Sequence, residues 1–166
     1  MLRGLDNAGK STIVQRWLNL DITSVSPTFG FAIKSLHYQH KYHLNIWDIG
    51  GQKSIRAYWR NYYEQTDGLV WVVDASTPSQ LEECKRELDI LLEQDRLMGA
   101  SLLILANKQD VAGSIGEEEI GRVLELERLH GRVHYKVMAC SGLTEMNVQK
   151  SLDWLVADIS EKTFRF

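Results

Sequence analysis

Two prolines, two cysteines and no long apolar run limit what this chain can be. With only Pro27 and Pro78, and no stretch rich in proline, glycine and serine, the sequence has no flexible linker and no low-complexity tract. No internal repeat divides it, so a single domain over residues 1–166 is expected. Cys84 and Cys140 stand far apart and match no C-x-x-C spacing, which argues against a redox or zinc motif. Both read as packing residues in a reducing, cytoplasmic setting. No apolar run approaches the length of a membrane span and no signal-peptide pattern opens the chain, so no stable membrane insertion is expected. Nineteen Lys and Arg against twenty-two Asp and Glu leave a net charge of -3, which offers no basic field to a nucleic acid.

What is present is a composition of 44% hydrophobic and 25% charged residues, ordinary for a folded globular protein. At 166 residues the chain can bury well over half of its unfolded surface in one core. Three continuous apolar runs, 69–73, 102–106 and 133–139, have the length and content of buried parallel strands. Each leads into apolar residues spaced by three and four: Leu81, Cys84, Leu88, Leu91 and Leu92; then Ile120, Val123 and Leu124; then Val148, Leu152, Leu155, Val156 and Ile159. Strand followed by helix, repeated, predicts an α/β fold with a parallel sheet covered on both faces. Phe31, Ile33 and Ser35, then Tyr42, Leu44 and Ile46, alternate around a polar stretch at 38–41, which predicts an antiparallel hairpin at the sheet edge. The strand entering the first glycine-rich loop belongs in the middle of such a sheet, yet only Met1, Leu2 and Arg3 precede Gly4. So short a central strand leaves ladder partners unpaired, and a longer start is expected.

Gly4-Leu5-Asp6-Asn7-Ala8-Gly9-Lys10-Ser11 fits G-x-x-x-x-G-K-[ST], with Thr12 and the apolar stripe Ile13, Val14, Trp17 and Leu18 behind it. Glycines let the backbone wrap closely, so that N–H groups and a helix N-terminus face phosphate oxygens. Lys10 places a cation between the β and γ positions, and Ser11 offers a hydroxyl to Mg²⁺. Asn107-Lys108-Gln109-Asp110 follows a buried run, at the strand end where open α/β sheets bind ligands. An Asp110 carboxylate can accept from N1–H and the exocyclic amine of guanine, neither of which adenine offers; Lys108 can cover the ring and Asn107 can brace the loops. In Trp47-Asp48-Ile49-Gly50-Gly51-Gln52, Asp48 is placed to hold Mg²⁺, Gly51 lets a backbone N–H approach the γ-phosphate, and Gln52 can orient the attacking water. Thr28, in Ser26-Pro27-Thr28, supplies a second hydroxyl to the metal from a loop with little apolar content of its own. Two loops sharing one triphosphate relax together when the γ-phosphate leaves.

In order and spacing, G-L-D-N-A-G-K-S, S-P-T-F-G-F, W-D-I-G-G-Q-K, W-R-N-Y-Y and N-K-Q-D resemble the ADP-ribosylation factors and their relatives among the small GTPases, from residue 1 to about 158. Within that family S-P-T-F-G-F, L-N-I-W-D and T-D-G-L-V-W-V-V-D are most similar to the factor-like proteins of the second type. The resemblance implies the phosphate-loop small-GTPase fold, with a mostly parallel six-stranded sheet, one antiparallel edge strand and helices on both faces. It implies GTP or GDP with Mg²⁺, and slow GTP hydrolysis carried by Gln52, Lys10 and Thr28. It places the nucleotide on Asp6, Asn7, Ala8, Gly9, Lys10, Ser11, Thr12, Thr28, Gly51, Asn107, Lys108, Asp110, Ser141 and Gly142, and the metal on Ser11, Thr28 and Asp48. Implied partners are a GTPase-activating protein, an exchange factor and effectors of the GTP state, among them carriers of lipidated cargo and tubulin-folding cofactors. The protein is expected to be a monomer. Ala32 and Gly142 depart from the family pattern without removing a ligand, Arg3 stands where the family has an apolar residue, and the family's amphipathic N-terminal helix is expected, with part of the first strand, to belong to the longer start.

Aromatics more often mean core, and Trp17, Trp71 and Trp154 are read that way. Phe31, Trp47 and Tyr62 are read through the resemblance as an effector surface. His37, His40 and His43 straddle the hairpin turn and are read as solvated, and Glu117, Glu118 and Glu119 suit a helix start. No arginine is evident to neutralise charge developing on the phosphate, so a partner is expected to supply one; Arg56 and Arg60 are read as structural or partner contacts. The alternative reading is a GTP-dependent binding module with little hydrolysis.

Overall fold

The computed structural model describes residues 1–63 and 65–163, with Tyr62 described by its backbone alone. Six strands, β1 (Leu2–Gly4), β2 (Phe31–Tyr38), β3 (Tyr42–Ile49), β4 (Gly68–Asp74), β5 (Ser101–Asn107) and β6 (Tyr135–Ala139), form one sheet in the order β2-β3-β1-β4-β5-β6. The β2–β3 pair is antiparallel with β2 at the edge, and the other pairings are parallel. This is the six-stranded architecture that the alternating runs and the resemblance imply. Every residue of β4 and β5 is buried, as continuous apolar strands require when helices cover both faces.

The helices divide cleanly. α1 (Lys10–Trp17) and α5 (Val148–Thr163) cover one face, where Ile13, Val14, Trp17, Leu152 and Val156 pack on Val70, Val72, Leu103 and Leu105. The short α2 (Lys53–Arg56) follows β3; α3 (Leu81–Leu92) and α4 (Glu117–Val123) then cover the other face, through Cys84, Leu88, Leu91 and Ile120 against Trp71, Ile104 and Ala106. Each fully buried leucine or isoleucine in these layers contributes about 1.5–3 kcal/mol relative to exposure.

Three local features refine the sequence reading. β6 begins at Tyr135 rather than at 133, because the N–H groups of Arg132 and Val133 both turn back to the Leu129 carbonyl. In β2, Leu36 and Tyr38 turn to the α1/α5 core, while Phe31 and Ile33 stay 46% and 48% exposed, which settles a facing that the alternation left open. Trp154 is half-buried rather than core, lying beside the His134 ring at 5.9 Å. The hairpin turn sits where expected, with Gln39 and His40 both left-handed (φ 51 and 54) and the Lys41 N–H donating to the Tyr38 carbonyl, the turn whose twist matches paired strands. His37 faces His43 across the ladder, and His40 sits in the turn. The parallel strands all end on one edge of the sheet, and the loops after β1, β4, β5 and β6 emerge there together.

Candidate functional site

At the end of β1 the chain turns directly into α1. Gly9 caps the helix with φ 99, and a Cβ there would lie 2.3 Å from the Asn107 Nδ2, so this position requires glycine. Lys10, the first residue of α1, is buried with its Nζ donating to the Leu5 carbonyl at 2.8 Å. Burial lowers its pKa to about 8, against the opposing pull of Asp48 and Asp6. The loop is thus a closed cradle with a cation held at its centre, and the N-terminus of α1 opens toward the same space.

That space is a cleft of about 460 Å³, bounded by residues 6, 7 and 9–12 of the loop, by 22 and 25–28, and by 50–52. Ser11 Oγ donates to Asp48 Oδ2 at 2.5 Å, and Thr28 Oγ1 lies 2.8 Å from Ser11 Oγ and 3.3 Å from the same carboxylate oxygen. Asp48 is 3% exposed, and its Oδ1 is buried with no hydrogen-bond partner. Two hydroxyls and a carboxylate with a spare buried oxygen form an all-oxygen donor set that fits a hard divalent cation such as Mg²⁺, which favours few protein ligands and completes its shell with waters and phosphates. Gly51 presses on the loop so closely that a Cβ would meet the Asp6 nitrogen at 2.4 Å, and the Gly50 N–H donates to the Gly30 carbonyl. Gln52 lines the cleft, half-buried, with its Oε1 unpartnered. The segments carrying Thr28 and Gln52 therefore touch each other as well as the phosphate loop.

The second group of side chains lies at the ends of β5 and β6. Asn107 Nδ2 donates to the Ala8 carbonyl at 2.9 Å, and its Oδ1 accepts from the Gly142 N–H at 3.0 Å, so one amide staples the phosphate loop to the loop after β6. Lys108 takes a left-handed φ of 69, and its Nζ donates to the Asn7 carbonyl and to Asp74 Oδ2, both at 2.7 Å. Burial pushes the Asp74 carboxyl up, but hydrogen bonds from Lys108 and Ser76 outweigh it and hold the pKa below its usual value. Ser141 Oγ donates to Asp110 Oδ1 at 2.6 Å, which fixes one edge of an otherwise exposed carboxylate.

The residues predicted for phosphate and metal thus come together around one cleft, and those predicted for the base come together beside it. Phe31 and Trp47 stack at 5.6 Å on the outer face of the hairpin, whereas the side chain of Tyr62 lies outside the described residues. Arg56 is tied down, with Nε on the Gly51 carbonyl and Nη1 on Glu83 and Glu87. Arg60 is exposed. Two residues of the site were missed by sequence reasoning. Asp74, the anchor of Lys108, ends a buried apolar strand, and a lone acid at that place was a usable signal. Arg16 on α1 binds carbonyls of the loop after β6, contacts that leave no mark in the sequence.

Comparison with known proteins agrees with this fold. The ADP-ribosylation factor family profile matches residues 1–159. Proteins named ADP-ribosylation factor-like protein 2 from Arabidopsis thaliana and Drosophila melanogaster are 54% and 50% identical over 164 residues, each match covering 99% of this chain and 88% of the relative. Among solved structures, the Arl6 BBS3 small GTPase of Trypanosoma brucei, with the nucleotide analogue GppNp bound, superposes with a TM-score of 0.88 at 28% identity, over 97% of this chain and 96% of its own. Fold and sequence agree along nearly the whole length, and the chain belongs to the ADP-ribosylation factor family, small GTPases that bind GTP as a switch and hydrolyse it.

Proposed function

We propose that this GTPase is a slow, Mg²⁺-dependent switch in which Ser11, Thr28 and Asp48 hold the metal and the loop around Lys10 holds the phosphates. The observation that carries the reading is the contact of Thr28 with Ser11 and Asp48, which joins three separate segments at one point. Mg²⁺, when bound, neutralises charge on the phosphate oxygens. The protein's own groups do the rest. Lys10 binds between β and γ oxygens, the Gly51 N–H faces the γ position, and Gln52 orients a water for attack. Asp110 reads the guanine edge, Lys108 lies along the ring, and Asn107, Ser141 and Gly142 hold the two loops around it. Loss of the γ-phosphate removes a shared ligand from 26–28 and 50–52, which lets both segments relax.

Among the described residues no arginine lines the cleft, and Arg56 nearby is engaged by two glutamates, which supports an arginine supplied in trans, worth about 10³–10⁵ in rate. Effectors of the GTP state would dock on the exposed apolar edge at Phe29, Phe31 and Ile33, where Trp47 stacks on Phe31; carriers of lipidated cargo and tubulin-folding cofactors are the partners that the resemblance suggests. That same edge favours the second reading, a GTP-dependent binding module in which hydrolysis is incidental. The test is to denature purified protein, identify the released nucleotide, and follow single-turnover phosphate release with and without a lysate fraction. Guanine nucleotide with Mg²⁺-dependent release that the fraction accelerates supports the switch. Retention of an adenine nucleotide, or no release under either condition, counts against it.

A further inference from the structure

Arg16 lies on α1, the helix that opens with Lys10, Ser11 and Thr12. Its guanidinium reaches the loop after β6, where Nε donates to the Gly142 carbonyl at 2.8 Å, Nη2 to the Leu143 carbonyl at 2.6 Å and Nη1 to the Glu145 carboxylate at 2.7 Å. Three charge-assisted bonds from one planar fork fix orientation as well as distance. The segment they hold needs fixing, since Glu145 and Asn147 both take left-handed backbone (φ 71 and 57), a conformation that side chains other than glycine hold only under surrounding restraint. Within the loop the Ser141 N–H donates to the Met146 carbonyl and the Thr144 N–H to Ser141 Oγ, each at 3.0 Å, and Asn147 Nδ2 ties it back to the Ala139 carbonyl at 2.9 Å. Ser141 is also the residue whose hydroxyl orients Asp110, and Gly142 is the residue whose N–H donates to Asn107. One side chain on the phosphate-binding helix therefore joins Asn107 in holding the loop that aims the base-reading carboxylate.

We propose that Arg16 is a positioning residue of the guanine site: by clamping 142–145 onto α1 it holds the Ser141 hydroxyl against Asp110, and so sets both nucleotide residence time and the discrimination of guanine from hypoxanthine. The proposal rests on the reading of Asp110 as the group that recognises the base. Hypoxanthine lacks the exocyclic amine, so a well-aimed carboxylate prefers guanine, and a carboxylate left free to swing loses part of that preference.

The test loads the full chain with GDP or with IDP in Mg²⁺ and measures each dissociation rate by chase. For Arg16→Met, which keeps the stem and removes the fork, GDP is expected to leave about tenfold faster and the ratio of IDP to GDP rates to fall toward one. Arg16→Lys, able to reach a single carbonyl, is expected to lie between, and it decides the matter alone should the methionine variant fail to fold. An unchanged GDP rate overturns the proposal, as does equal acceleration of both nucleotides, which would mean a helix contact without influence on the base site. Asp110→Asn separates the two levels: if it fails to shift preference from GDP to XDP, the base reading falls and this proposal with it. If it shifts preference while the Arg16 variants keep the native ratio, only the role of Arg16 is lost.

Discussion

At the base end of the site Asn107, Lys108, Asp110 and Ser141 each have a protein partner, while at the phosphate end the buried Asp48 Oδ1 and Gln52 Oε1 have none among the described residues. An unpaired buried acceptor costs about 1–3 kcal/mol, so the two ends answer different needs. The base end is preorganised by its own hydrogen bonds and can select a ring without rearranging. The phosphate end holds oxygen acceptors whose complement has to come from cation or water, and it is assembled from three separate segments that meet at Ser11, Thr28 and Asp48. Selectivity is built into the first, and responsiveness to the ligand into the second.

The largest expected effect tests the preorganised end. Asp110→Asn should lower affinity for guanine nucleotides by about 10⁴-fold and transfer preference to xanthine nucleotides, because the amide presents a donor where guanine also presents one; competition binding measures both. An unchanged preference would mean that the base is read elsewhere. Next in size is the cation of the phosphate end. Lys10→Met should weaken nucleotide binding on the order of 10³-fold, as loss of a buried partner to charged phosphate does. With the free-state pKa at about 8, binding by the native protein should also weaken as pH rises above that value. The linked effect on folding has the opposite sign. The unfolded lysine titrates near 10.5 and so binds more protons than the folded one between about 8 and 10.5, hence the nucleotide-free protein should gain stability across that window. A melting temperature that fails to rise there relative to Lys10→Met would sink the assignment.

Much of this was legible in the sequence, for identifiable reasons. β4 and β5 are buried on both faces and wrote themselves as apolar runs, and the motifs that bind phosphate and base are local stretches whose spacing carries the chemistry. What the sequence hid is what depends on distance along the chain. The clamp from Arg16 to residues 142–145, the tie from Lys108 to Asp74 and the restraint of Arg56 by Glu83 and Glu87 join separated elements through side chains of ordinary type. The facing of β2 was hidden for another reason: at an edge strand apolar residues occupy both faces, and alternation alone does not say which one turns inward.

A smaller effect isolates the metal. Asp48→Asn keeps the shape of the cluster but removes the charge, so Mg²⁺ should slow nucleotide release about 10–100-fold less than it does in the native protein, read as the ratio of release rates with and without chelator. If the ratio stays native, the unpartnered Oδ1 has another purpose.

The smallest effect concerns how firmly the segment after β3 is held. Arg56 is 11% exposed at its side chain, donates to the Gly51 carbonyl at 2.9 Å and pairs with Glu83 at 2.7 Å and Glu87 at 3.2 Å, so it links the Gln52 segment to α3. The glutamates are partly exposed, which limits the gain from charge, and Arg56→Ala should cost about 1–2 kcal/mol. In a chain of this size that corresponds to a melting temperature lower by roughly 3–6 °C. The hydrogen bond from Arg56 holds the Glu83 carboxyl below its usual pKa, so this stabilisation is present above about 4.5 and is lost as pH falls through the lower folded value. Native and variant melting curves should therefore be separated at neutral pH and converge in acid. Separation that persists into acid would show that Arg56 acts through the Gly51 carbonyl and packing rather than through the glutamates, and would make the phosphate end more preorganised than its two unpartnered oxygens suggest.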